Sequence, residues 1–343
     1  MRCIMRKFIN VFGSTNCNKD IMDNADDFGD LIQAKLIPSN GFNAPLYVMW
    51  ELTSLCPNKC IYCYNDSHVK NKDELNRKQI FKIADELINA KVFQVCLTGG
   101  EPTCSPEYFD LMRYLRTNGI EIGTILSGAN LNKKKIKKIS EYVDMVQISL
   151  DGSNANIHDY VRNKKGSFDE AINAIKGFVS FGKQVRVSFA TTKYNIDDFK
   201  NTTELCKRLG VASIRTQKLS ISGRVKGNEE QIYASEEQFK EMEKYIYSNT
   251  APIQIEYRSP SEHIEFGIKN GFATVMRINS EGLVGITPYI DVYFGDLKED
   301  SFNSVWNKMK KGWHNEKMLK LAKVMNSREN GTLIDPLESR LFL

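Results

Sequence analysis

Apolar residues in this chain fall into short runs separated by longer amphipathic stretches. Six runs are compact and bounded by polar residues or Gly: Leu46–Thr53, Val92–Thr98, Ile120–Ser127, Val143–Leu150, Gln184–Thr192 and Val211–Lys218. A strand buried on both faces reads this way, as in a parallel sheet. The stretches between them carry helix signals. Asn76 with Gln79 predicts a capping box ahead of Ile80, Ile83, Ala84 and Leu87. Ser105-Pro106 predicts a second start, stopped at Asn118-Gly119. Ser167 with Glu170 and Ser235 with Gln238 predict further boxes, and Asp198–Arg208 a helix ending at Gly210.

Repeated β-α units imply an α/β fold around a parallel sheet. Six units are two short of a closed eight-stranded barrel, so the expected core is a partial (β/α)6 barrel with one side open. Chemistry then belongs at the C-terminal ends of the strands. Residues 1–45 show no clear period and read as an N-terminal extension. Residues 46–250 form the core. Residues 251–343 change character to a small α+β region, with a hairpin of Met276–Ile278 and Leu283–Ile286 about a Gly turn and a last helix near Phe302–Met309.

Composition narrows the partners. The 47 basic and 42 acidic residues leave a net charge of +5, too mild to name nucleic acid or membrane as the main partner. The Lys133–Lys135 run and Lys308, Lys310 and Lys311 read as solvated helix faces. No run reaches the ~18 apolar residues of a membrane helix. The start, Met1 to Phe12, lacks a cleavage site, so the expected location is cytoplasmic. Eight cysteines in 343 residues do not form a disulfide scaffold.

Three of the eight are clustered: Cys56-Pro57-Asn58-Lys59-Cys60-Ile61-Tyr62-Cys63, directly after the first strand. Thiolates bind iron, and a short loop can wrap a cluster. A structural [4Fe–4S] site wants four protein ligands; three leave one iron open. A Cys3His zinc site completed by His68 is the alternative. The spacing Cys-x3-Cys-x2-Cys resembles the signature of the radical S-adenosylmethionine (SAM) superfamily. The resemblance implies one [4Fe–4S] cluster on Cys56, Cys60 and Cys63, with SAM chelated to the fourth iron. It further implies reductive cleavage of SAM to a 5′-deoxyadenosyl radical, and a flavodoxin- or ferredoxin-type electron donor.

Other segments extend the resemblance. Thr98-Gly99-Gly100-Glu101-Pro102 ends the second strand and is similar to the GGEP motif, which implies that Gly99 and Gly100 admit SAM and that Glu101 accepts from its ammonium. Ser149-Leu150-Asp151-Gly152 resembles an SxDG segment, placing Ser149 and Asp151 at the SAM wall. Ser127 and Asn130 occupy the usual ribose region, although Leu126-Ser127-Gly128-Ala129-Asn130 departs from the common Thr-Asn-Gly. Arg162, in His158-Asp159-x-x-Arg162, is a candidate partner for the SAM carboxylate or half of a surface ion pair. Tyr62 holds an aromatic position near the adenine. Thr192–Asn195 and Gly223-Arg224 match the same branch without a separable role.

The C-terminal pattern, from Met276-Arg277-Ile278 through Gly295-Asp296-Leu297 to Val305-Trp306, resembles a SPASM/twitch extension, which normally holds auxiliary clusters. No cysteine follows Cys206, and Gly271 and Tyr289 stand where the first would be expected. The resemblance implies a maturase of ribosomally made peptides running redox-neutral chemistry, epimerisation first. A thiol would then return hydrogen, with Cys104, Cys206 and Cys96 as candidates and Cys3 and Cys17 outside them. A radical enzyme for a small molecule, such as a sugar or cofactor precursor, stays open, as does a non-catalytic Fe–S or zinc protein.

Overall fold

A computed structural model describes residues 42–248, 250–258, 264, 267, 274–312 and 341–342. The expected extension 1–45 and its Cys3 and Cys17, together with Gly271, lie outside them apart from residues 42–45. All six expected strands are present, as β1 (Tyr47–Glu51), β2 (Gln94–Thr98), β3 (Glu121–Leu126), β4 (Met145–Ser149), β5 (Val185–Ala190) and β6 (Ser213–Gln217). They run parallel in sequence order. A seventh parallel strand, β7 (Gln254–Arg258), continues the array beyond β6.

The C-terminal strands join the opposite edge. β8 (Val275–Ile278) pairs in parallel with β1, and β9 (Leu283–Gly285) and β10 (Val292–Asp296) continue antiparallel. The two-residue β11 (Leu341–Phe342) completes one eleven-stranded sheet. A buried ion pair stitches this seam: Arg277 of β8 donates from Nε and Nη2 to Glu51 of β1 at 3.1 and 2.8 Å.

Helices α1 (Arg77–Asn89), α2 (Tyr108–Thr117), α3 (Lys133–Ser140), α4 (Ala155–Arg162), α5 (Ser167–Ser180), α6 (Phe199–Arg208) and α7 (Glu236–Tyr247) separate the strands, and α8 (Phe302–Gly312) closes the described C-terminal region. Both faces of the sheet are read by the period of two. Val48, Trp50, Val95, Leu97, Ile148 and Val187 pack outward against helix residues such as Ile83, Leu111 and Phe178. The alternate positions, among them Glu51, Cys96, Arg186 and Arg215, point the other way.

That inner face encloses an interior because the sheet curls. β1 and β6 are five strands apart, about 24 Å in a flat sheet. Yet Tyr289 reaches both sides. Its hydroxyl accepts from Gln217 Nε2 at the end of β6 at 2.8 Å. Its ring meets Tyr64 edge-on with centroids 5.8 Å apart, and Tyr64 donates to Glu51 at the end of β1 at 3.1 Å.

Two predicted capping boxes form, at Asn76/Gln79 and Ser235/Gln238. The box at Ser167/Glu170 does not. Asp159 of α4 captures that terminus instead, accepting from Gly166 N, Phe168 N and Ser167 Oγ at 2.6, 2.7 and 2.8 Å. α2 begins at Tyr108 rather than Pro106, because Pro102–Cys104 first forms a 3₁₀ turn capped by Glu101.

Candidate active site

The cysteine loop leaves β1 and is held by main-chain contacts from distant segments. Ile61 N donates to Val161 O at 3.0 Å, beside the end of α4. Arg224 brackets the loop: its backbone N donates to Cys63 O, and its guanidinium to Cys60 O and Ser67 O at 2.9 and 2.6 Å. Gly223 is required there, since a Cβ would lie 2.1 Å from Cys63 O, and its φ is +52°. The Gly223-Arg224 pair, without a role on sequence grounds, thus shapes the loop.

The GGE segment docks on the approach to the same loop. Gly100 N donates to Thr53 O at 2.7 Å and Glu101 N to Leu55 O at 2.9 Å. A Cβ on Gly100 would sit 2.5 Å from Leu55 O, and one on Gly99 at the same distance from Thr53 O. Both glycines therefore admit the strand-end backbone.

Glu101 is buried. Its Oε2 accepts from Ser127 N and Oγ at 2.8 and 2.6 Å, and its Oε1 from Thr103 Oγ1 at 2.9 Å. Burial pushes its pKa up against those hydrogen bonds. Among the described residues no cationic side chain pairs with it.

A second group forms around Asp151. Its Oδ1 accepts from Ala190 N at 2.8 Å, and its Oδ2 accepts from the Tyr62 hydroxyl. Asn195 Nδ2 donates to Asp151 O at 3.0 Å, which accounts for the Thr192–Asn195 segment. Arg162 is buried, 7% exposed, so its ion pair is not a surface one. Its Nε lies 2.7 Å from Asp151 Oδ2 without being aimed along it, and its Nη1 donates to Cys60 Sγ at 3.3 Å. The guanidinium also stands 5.7 Å from the centre of the Tyr62 ring.

The structure therefore joins Cys60, Tyr62, Asp151 and Arg162 in one network, with Cys56 and Cys63 in the same loop and Gly99, Gly100, Glu101 and Ser127 alongside. Ser149 is bonded instead by Ser188 Oγ at 3.3 Å. Asn130 is exposed, left-handed at φ +57°, and its carbonyl accepts from Lys135 Nζ at 3.1 Å. Of the thiols outside the loop, Cys206 is fully buried between α6 and the sheet, Cys96 faces the interior, and Cys104 is half-exposed in the turn after Glu101.

His158 supports this network from below. Its buried Nδ1 accepts from Asp151 N at 2.9 Å. Burial, and next the charge of Arg162, lower its pKa to about 4. An unfolded His titrates near 6.5. The folded value is depressed, so this stability is present above about pH 6.5 and lost as pH falls toward about 4, roughly 3 kcal/mol in all. Urea titrations at pH 7 and pH 4 should show the parent losing about that much more than His158→Gln. Equal losses would mean His158 is not the group responsible.

Residues 50–214 match the Radical SAM superfamily. The chain is 36% identical over 187 residues to the mycofactocin maturase MftC of Mycolicibacterium smegmatis, spanning 54% of this chain but only 47% of that protein. It is 26% identical over 288 residues to the AdoMet-dependent heme synthase of Methanosarcina barkeri, spanning 77% and 82% of the two chains. Its fold is similar to Streptococcus suis SuiB bound to the precursor peptide SuiA, with TM-score 0.64 at 17% identity over 89% of this chain and 76% of that one.

The Radical SAM match implies a [4Fe–4S] cluster and SAM, and the cysteine loop offers donors suited to a cluster. Two of the three sulfurs accept an N–H: Cys60 from Arg162 at 3.3 Å and Cys63 from Ser67 N at 3.4 Å. N–H donors aimed at sulfur favour the thiolate form that ligates iron. Burial, and then the neighbouring Cys60 and Glu101, push the Cys56 thiol up to about 12, so a metal bound there would have to displace its proton. Among the described residues no three His, Cys, Asp or Glu side chains gather as a single metal ion requires. His68 is exposed, and it meets Cys56 only through its carbonyl at 3.5 Å.

Sequence reasoning missed Glu51, Tyr64, Arg277 and the bracketing role of Arg224. A signal existed for two of them, since Glu51 and Arg277 interrupt otherwise apolar strands.

Proposed function

We propose that this chain is a radical SAM enzyme holding one [4Fe–4S] cluster on Cys56, Cys60 and Cys63, and that its substrate is a peptide. The observation that carries the reading is the convergence of three separate segments, the cysteine loop, the GGE turn and the Asp151–Arg162 pair, at the C-terminal ends of β1, β2 and β4. When bound, the cluster and SAM supply the electron and the hydrogen-abstracting radical.

The chain's own residues bind and orient. Glu101 is a buried carboxylate without a cation, suited to the SAM ammonium, and Ser127 and Thr103 hold it in place. Tyr62 offers its ring toward the adenine while its hydroxyl fixes Asp151. Arg162 retains donors beyond those used for Asp151 and Cys60, enough for the SAM carboxylate. Ser127 and Asn130 form the ribose side, and Ser149 part of the SAM wall. A flavodoxin- or ferredoxin-type protein delivers the electron. Residues 46–250 act as the catalytic core and the C-terminal strands as a buttress that replaces auxiliary clusters.

A peptide substrate is supported by the likeness to a mycofactocin maturase and by a fold shared with a protein solved on its precursor peptide. A small-molecule substrate is the second reading, favoured by the heme synthase match, which spans most of both chains. Without cysteines between 207 and 343, redox-neutral chemistry is preferred, epimerisation first, with Cys104 or Cys96 returning hydrogen. Cys206, sealed in the helix–sheet layer, is the least suited to that role.

The anaerobically reconstituted protein, given a strong reductant, should cleave SAM to 5′-deoxyadenosine and methionine. Glu101→Ala should weaken SAM binding about tenfold to a hundredfold, the loss of a hydrogen bond between charged groups. It should leave iron content unchanged. A variant that sheds iron yet binds SAM normally would refute the assignment of Glu101. Co-expression with a candidate peptide in deuterated water should give a product carrying one deuterium for each inverted centre. A thioether or formylglycine mass change would overturn the redox-neutral reading.

A further inference from the structure

The interior face of the curled sheet carries several charges, and nearly all are paired within the chain. Arg277 is held by Glu51. Arg186 of β5 lies 3.1 Å from Glu256 of β7, which also accepts from Ser213 Oγ at 3.2 Å. Arg215 of β6 differs. Its strand neighbours in register are Ser188 and Glu256, and Glu256 is engaged by Arg186. Among the described residues no carboxylate lies within the 4.0 Å of an ion pair from Arg215.

The strand period fixes where Arg215 points. Ile214 packs in the outer core, and Thr216 is buried with its hydroxyl on Phe189 O at 3.0 Å. Arg215 and Gln217 therefore share the inner face. The charge of Arg215 acts on the phenols of Tyr47 and Tyr289 and on the thiol of Cys96, which belong to β1, the C-terminal region and β2. The guanidinium thus extends across the interior. Gln217, beside it, donates to Tyr289, and Tyr289 abuts Tyr64, next in sequence to Cys63.

A half-buried guanidinium on the interior face with no counter-charge is a ready partner for a carboxylate, which it grips with two parallel N–H donors. We propose that Arg215, flanked by Gln217 and Tyr289, is a subsite that binds a carboxylate of the substrate on the interior side of the cysteine loop. This rests on the reading of the chain as a radical SAM enzyme acting on a peptide. The carboxylate is then a side chain of Asp or Glu, or the free C-terminus of the peptide. The same chemistry serves both. Tyr289 gives the C-terminal region a direct part in substrate choice, at a position where an auxiliary-cluster cysteine would be expected.

The test uses cluster-loaded protein and a guanidinium-selective reagent, 4-hydroxyphenylglyoxal, followed by peptide mapping. Arg215 should react about tenfold faster than the ion-paired Arg186, with Arg162 and Arg277 slower still. Three probes are added in turn: N-acetylglutamate methylamide, with a side-chain carboxylate; N-acetylalanine, with a C-terminal carboxylate; and neutral N-acetylglutamine methylamide. At least one carboxylate should slow labelling of Arg215 roughly threefold or more where the neutral amide does not, and the one that does names the source. The same probe should raise the melting temperature of the parent and not of Arg215→Gln. Arg215 as unreactive as Arg277, equal protection by the neutral amide, or no protection by either carboxylate would overturn the subsite. Parent protein that binds no iron and cleaves no SAM would instead count against the family chemistry, independently of these labelling rates.

Discussion

Replacing Cys56, Cys60 and Cys63 together by Ala is expected to leave a folded protein that takes up no iron, where the parent takes up about four irons per chain. The fold should survive because the loop is not held by its sulfurs. Arg224 fixes the carbonyls of Cys60, Cys63 and Ser67, and Ile61 N is anchored on Val161 O. Glu74 ties the approach, accepting from Ser54 N at 2.7 Å and Thr53 Oγ1 at 3.0 Å. None of these contacts uses a thiol. Iron and sulfide analysis with circular dichroism checks both halves of the expectation. Iron retained by the triple variant, or about eight irons in the parent, would place a cluster on other groups. Zinc in place of iron in the native protein would refute the cluster reading.

Much of the core was legible because its signals are local. The six strands show as apolar runs, and two helix starts show as side chains three residues apart. β7 was not legible for a definite reason. In Gln254–Arg258 the apolar positions Ile255 and Tyr257 alternate with Gln254 and Glu256, so the strand lacks the continuous run of its neighbours. An edge strand whose inner face is polar has no need of one. The failed box at Ser167 has the same kind of cause. Asp159, eight residues earlier, reaches the helix start first.

The site divides in the same way. Its candidate members could be named from motif spacing, but their partners could not. Arg162 meets Cys60 across 102 residues, and Arg224 meets the same residue across 164. Nothing in the local sequence distinguishes either Arg from one on a helix surface. The sequence suggested SAM or a surface ion pair for Arg162, and the structure shows a buried carboxylate and the Cys60 sulfur beside it.

That placement gives Arg162→Ala the second large effect, a loss of about 3–5 kcal/mol of stability. Asp151 is 1% exposed, and without the guanidinium its charge would be left with the Tyr62 hydroxyl and Ala190 N–H alone. Breaking one side of a buried pair costs more than removing both, because the uncompensated charge is the expensive species. The double variant Arg162→Ala, Asp151→Asn should therefore cost clearly less than the sum of the two singles in urea titrations of the apoprotein. Additive losses would mean the two groups are not coupled. Cluster-loaded protein separates the electrostatic role from the structural one. Removing Arg162 takes an N–H donor and a positive charge from Cys60, which should move the cluster's reduction potential negative. Asp151→Asn removes a nearby negative charge while leaving Arg162 beside the sulfur, which should move the potential positive. Simple loosening of the loop would shift both variants the same way, so opposite signs in a redox titration without SAM identify Arg162 as a residue that sets the charge at the cluster.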